Sequence, residues 1–113
     1  MNDPSSGSQR RELYRIVYPL KARPRLILAG ESCPVMDLCE RGIRFQYLGA
    51  RGLGMGETVH GVVLFPDGTS LSIEGTVMRV QGKQAVLHLG TPISHAKVLQ
   101  QQRYLLMHFP GYE

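Results

Sequence analysis

From residue 42 onward the chain alternates apolar and polar positions with a period of two. Ile43, Phe45 and Tyr47 interleave with Gly42, Arg44 and Gln46 in a segment reaching Leu48, the pattern of a strand with one face in a core. Val59 to Phe65 and Ser70 to Val80 form two more runs. They are joined by Pro66-Asp67-Gly68, whose Asp-Gly pair tolerates the positive φ of a hairpin turn. In the second run Leu71, Ile73, Gly75, Val77 and Arg79 share one side, and Ser72, Glu74, Thr76, Met78 and Val80 the other. Gln81-Gly82-Lys83 then turns the chain into Ala85 to Leu89.

Upstream, Leu20 to Arg23 roughly alternates and leads through Pro24 to Leu26-Ile27-Leu28. Ala29-Gly30-Glu31 is a turn candidate before a strand from Cys33 to Leu38. Pro24 and Pro34 each remove a ladder donor, which predicts an edge or a bulge in these strands. The run Gly49 to Gly56 is too rich in glycine for regular structure and reads as a loop. After Leu89 the period lengthens. Thr91-Pro92 predicts a helix cap with proline in the first turn, and Ile93, Ala96, Leu99 and Leu106, widened by Val98 and Leu105, recur at helical offsets. About six short strands and one final helix predict an all-β fold, a small antiparallel barrel with the helix, about residues 92–107, covering one mouth or side.

At 113 residues the chain has the length of one domain. Met1 to Ser8 is polar, Ser-rich and without apolar pattern, and is expected to be disordered, leaving one domain over residues 9–113. With neither a signal-peptide core nor an apolar run near the length of a membrane span, a cytoplasmic protein without membrane insertion is expected. Cys33 and Cys39 do not have a metal-ligand spacing, and His60, His88, His95 and His108 are scattered, so no metal site is expected. Charge is more informative. Residues 1–25 carry six basic side chains against Asp3 and Glu12, a surplus equal to the whole formal net charge of +4, while the remainder is balanced. Five of the six are arginines, whose guanidinium forks match phosphate and guanine edges where lysine offers a point charge.

Arg11 and Arg15 form an RxxxR element just before the first strand, preceded by Arg10. About 26 residues after Arg11 stands Asp37-Leu38-Cys39-Glu40-Arg41-Gly42, immediately ahead of the alternating Ile43-Arg44-Phe45. The pair, in this order and spacing, resembles the two signatures of the bacterial PilZ domain family, RxxxR and [D/N]xSxxG, with cysteine at the serine position. The similarity spans residues 9 to about 107. It implies a six-stranded PilZ-type β-barrel (about residues 19–90) with a C-terminal helix, and an arginine arm (residues 9–18) that binds the second messenger cyclic di-GMP. By the same resemblance Arg11 and Arg15 grip guanine edges and phosphates, Asp37, Cys39 and Gly42 close around a guanine, and Arg10 influences how many ligands bind.

The residue chemistry agrees with those roles. Guanine O6 and N7 accept a bidentate arginine, a pairing that discriminates by about 1–3 kcal/mol. Asp37 can accept from guanine N1 and N2 or orient an arginine, and Gly42 lets a flat base approach the backbone. A thiol at residue 39 weakens any bond made by the usual hydroxyl by about 1 kcal/mol. Residues 1 to about 15 are expected to be mobile until they wrap the ligand and so create a surface for an unidentified effector protein. Arg41, Arg44 and Arg79 read as surface strand residues, with Arg44 nearest the ligand. Tyr14, Tyr18 and Tyr47 are base-stacking candidates that read better as core or strand packing residues, and the glycine run lacks a P-loop ending. No catalytic site and no cofactor are expected, since there is no nucleophile elbow, Ser-His-Asp order or paired carboxylate setting. Two alternatives remain: a degenerate PilZ-like interaction module without ligand, and a small nucleic-acid-binding barrel. The second is opposed by the lack of exposed aromatic interleaving, so no DNA partner is expected.

Overall fold

A computed structural model describes residues 15–49 and 51–111, so the tail, Arg10, Arg11 and the rest of the expected arm up to residue 14 lie outside the described residues. The described residues form seven strands, β1 (Ile16–Val17), β2 (Arg25–Leu28), β3 (Glu31–Cys39), β4 (Gly42–Gln46), β5 (Thr58–Leu64), β6 (Ser70–Gln81) and β7 (Gln84–Leu89), followed by helix α1 (His95–His108). Six of them close an antiparallel barrel in the order β3-β2-β5-β6-β7-β4, with β4 returning to β3. Closure depends on the length of β3. Glu31 to Pro34 pair with β2, whereas Val35 to Cys39 pair with β4 on the other edge. β1 continues the line of β2 by pairing Val17 with Asp37 and Ile16 with Leu38.

Alternation fills the interior. Leu26, Val35, Phe45, Val63, Val77 and Leu87 are all buried and point into one continuous core. The turn between β2 and β3 consists of Ala29 and Gly30, both at positive φ, which is the geometry that lets two residues reverse a twisted hairpin. Leu20 to Arg23, expected as strand, forms instead a 3₁₀ turn at Leu20–Ala22, closed by Ala22 N–H donating to Pro19 C=O at 2.9 Å. Pro19 and Pro24 bracket this turn and deny it the donors a ladder needs.

Two register shifts decide which way two charged side chains point. Between Val35 and Asp37, and again between Val77 and Arg79, one extra residue is inserted against the partner strand. Simple alternation puts Asp37 on the core side with Cys33 and Val35, and Arg79 on the core side with Ile73 and Val77. The bulges at Met36 and Met78 flip both charges to the outer face. The side assigned to Arg79 from period alone is thereby corrected.

The helix begins later than its first cap candidate. Ser94, not Thr91, is the N-cap: its side chain accepts from Lys97 N–H at 3.1 Å, and the helix runs from His95 rather than Pro92. Its buried face is Val98, Gln101 and Leu105, so Ala96 and Leu106 are exposed where the apolar offsets place them inward. Gln101 is fully buried and links three elements. Its amide oxygen accepts from Tyr18 OH at 3.2 Å, and its amide nitrogen donates to Asp67 Oδ2 at 3.0 Å. Burial by itself would raise the Asp67 carboxyl, but hydrogen bonds from Thr69 and Gln101 and the charge of Lys97 outweigh it and hold the group below its ordinary value. Among the described residues no helix is long and apolar enough to cross a membrane.

Gln101→Leu removes both bonds while keeping the volume. It should lower unfolding stability by about 1–3 kcal/mol, the cost of stranding buried polar groups, as read from urea or thermal unfolding. An unchanged midpoint would mean that the network contributes nothing to helix docking.

Candidate functional site

Strand registers carry the outer-face residues into rows. One row runs Val17, Asp37, Arg44, Val86, Arg79 across β1, β3, β4, β7 and β6, each residue directly opposite the next. The neighbouring row runs Cys39, Gly42, His88, Thr76. Residues far apart in sequence thus stand side by side, about 4.8 Å per strand step. Over these rows lies a cleft of about 400 Å³ lined by Arg15, Asp37, Cys39, Gly42 and Arg44, together with Met78, Arg79 and Val86, which sequence reasoning did not assign to a site.

The carboxylate of Asp37 organises the cleft. Its residue is only 3% exposed although it points outward, because two arginines cover it. Arg44 donates from Nε at 2.8 Å and from Nη2 at 2.5 Å to Asp37 Oδ2, and Arg15 Nη2 reaches Oδ1 at 3.4 Å. The arginine side chains remain 40% and 58% exposed, so each keeps further N–H donors directed to solvent. Arg15 and Asp37, from the two separate motifs, meet across 22 positions of sequence. Asp37 and Cys39 lie on β3, Glu40-Arg41 form the turn, and Gly42 opens β4, so the second motif is a hairpin end built into the barrel wall.

At Gly42 the fold itself does not call for glycine. A Cβ there would meet Leu87 O at 3.6 Å and Cys39 Sγ at 3.7 Å, ordinary contacts, and the backbone is not in the left-handed region. The missing side chain leaves open surface at the floor of the cleft. Cys39 is a half-buried free thiol on the same wall. A second cleft, about 330 Å³ and lined by Leu28, Tyr47, Leu53 and Val59 among others, adjoins the β2–β3 turn. Its Arg51–Glu57 ion pair straps the loop after β4, with Gly54 N–H also donating to Glu57 at 3.0 Å. Tyr47 is the one residue of that cleft weighed as a base-stacking candidate in the sequence, and its ring packs on the core edge.

The Asp37–Arg44 pair should be energetically real although its rim is wet. A double-mutant cycle of Asp37→Ala and Arg44→Ala is expected to give a coupling of about 1–2 kcal/mol in urea unfolding, above the median for exposed pairs because one partner is buried. A coupling below about 0.3 kcal/mol would reduce it to a solvated contact.

No protein-family model matches the chain, and a search of curated proteins returns no match.

Proposed function

We propose that this chain is a cytoplasmic cyclic di-GMP receptor of the PilZ type, which binds the dinucleotide on the outer wall of its barrel and signals to a partner protein. The observation that supports this reading best is the meeting of Arg15, from the RxxxR element, with Asp37, Cys39 and Gly42, from the second motif, in one cleft. A cleft walled by guanidinium groups and floored by a glycine suits a ligand with two phosphates and two flat guanines. Guanidinium forks take phosphates or guanine O6 and N7, and the open floor admits a ring face.

In this reading Asp37 is a positioning residue. Its oxygens already accept from Arg44 and Arg15, so its task is to aim those arginines rather than to accept from a guanine. Arg10 and Arg11 bring further guanidinium groups from the arm, giving phosphates and guanine edges several forks to choose from. Selectivity over other guanine nucleotides comes from the need to fill two phosphate and two base positions at once. Enclosure of the dinucleotide by the arm creates the surface that a partner reads.

Calorimetric titration with cyclic di-GMP, with GTP as control, should give selective binding in the micromolar range or tighter, about −8 kcal/mol. An Arg11→Ala, Arg15→Ala double variant should lose it. Absence of heat at high ligand concentration, or equal affinity in the double variant, would overturn the proposal and favour an interaction module without ligand. Cys39→Ser restores a stronger hydrogen-bonding group and should tighten binding several-fold, about 1 kcal/mol. An unchanged affinity would mean that this position meets the ligand through its backbone.

A further inference from the structure

We infer that Arg79, which belongs to neither motif, is a third anion-binding arginine of the cleft and takes one of the ligand's two phosphates. The inference rests on the receptor reading above and adds a residue to it. Arg79 lies 42 positions after Asp37 and 64 after Arg15 in sequence, yet the strand register places it in the same outer row as Asp37 and Arg44, separated from Arg44 only by Val86. It lines the 400 Å³ cleft, and with Arg44, Gln81 and Gln84 it lines a recess of about 40 Å³ that continues the cleft along β6 and β7.

Three observations favour a ligand role over an incidental surface charge. The first is the bulge at Met78. Without it the alternation of β6 would turn Arg79 toward the core with Ile73 and Val77; with it the side chain stands on the cleft wall. The other bulge, at Met36, does the same for Asp37, so both irregularities of the barrel serve one row of side chains. The second is the state of the side chain. Arg15 and Arg44 donate to Asp37, whereas the Arg79 side chain makes no hydrogen bond or ion pair with any described residue and retains its full fork of donors.

The third is charge. Among the described residues lining the cleft, Arg15 and Arg44 against Asp37 leave a single positive charge, and Arg79 raises this to two. A cyclic dinucleotide carries two phosphodiester charges on opposite sides of one ring. A cationic group two strands from Arg44, about 10 Å along the sheet, allows the two phosphates to be met from different directions. Arginine at this point supplies a bidentate fork to phosphate oxygens, which lysine does not.

The test is cyclic di-GMP affinity by calorimetry for the wild type, Arg79→Ala and Arg79→Lys at low and high salt. Arg79 is exposed, so both variants should unfold at the wild-type midpoint. Arg79→Ala is expected to bind at least tenfold more weakly, with Arg79→Lys between it and the wild type. The ratio of alanine-variant to wild-type dissociation constants should shrink as salt rises from about 0.05 M to 0.5 M, which a merely structural role would not produce. A wild type that binds while Arg79→Ala stays within twofold of it overturns this inference alone. A salt-independent loss also overturns it, leaving the receptor reading intact. A wild type that does not bind overturns the receptor reading and this inference together.

Discussion

A strand in a closed barrel offers each side chain two directions, and a charge can take only one of them without a large desolvation cost. The period of two therefore governs more than the core. At Cys33, Val35, Asp37 and at Ile73, Gly75, Val77, Arg79 an inward series runs into a charged residue. The barrel resolves both conflicts in the same way, by inserting Met36 and Met78 as bulges, which return the charge to the outer face while the strand continues. Because β4 and β7 lie between β3 and β6, the two corrected residues end in one cross-strand row, with Arg44 between them. The cleft follows from how the sheet accommodates charge.

A carboxylate at the centre of a cationic cleft looks counterproductive for binding an anion. Its effect is to make the cleft possible. Arg15, Arg44 and Arg79 gather on one cleft wall and repel one another, and a nearly buried Asp37 offsets that repulsion while fixing Arg44 through Nε and Nη2. Arginines oriented in advance lose less rotamer freedom when they later meet an anion, so the cost of assembling like charges is met in the fold rather than at binding. The arrangement also divides the groups: Asp37 orients the guanidinium groups, and their exposed portions keep donors open to solvent.

Legibility in the sequence tracks the strength of local signals. The alternation of Ile43 and Phe45, the Asp67-Gly68 turn and the alternation of β6 as far as Val77 are local patterns, and each appears as read. The barrel class follows from their short, even spacing. Five of the seven residues singled out as a site, Arg15, Asp37, Cys39, Gly42 and Arg44, meet in one cleft, while Arg10 and Arg11 lie outside the described residues. Features that depend on pairing are not legible. The 3₁₀ turn at Leu20–Ala22 lies in a stretch that roughly alternates like a strand, and its flanking prolines are the local sign against a ladder there. Nothing local marks Gln101 as buried, and its place follows only from Tyr18 and Asp67 being brought beside it. Alternation alone assigns Arg79 to the wrong side because a bulge is a relation between two strands. Its trace in one strand is the charge that closes an otherwise apolar series.

Arg15 directly precedes β1 and needs support from beyond that strand, since the two ladder pairs β1 makes among the described residues are too few to hold it in place by themselves. The remaining hold comes from outside the sheet. Ile16 is fully buried, Tyr18 N–H donates to Met36 C=O at 3.0 Å, and Tyr18 OH donates to the buried Gln101 of α1. Gln101 is fixed in turn by Asp67, in the β5–β6 turn, where Thr69 and Lys97 complete the network. The arginine that reaches Asp37 on one side of β3 is thus anchored through a polar network under the helix. A purely apolar helix face would bury as much surface, but it would not specify where the hydroxyl of Tyr18, and with it the end of the arm, must lie. The buried glutamine contributes position, and position is what a cleft built from guanidinium groups requires.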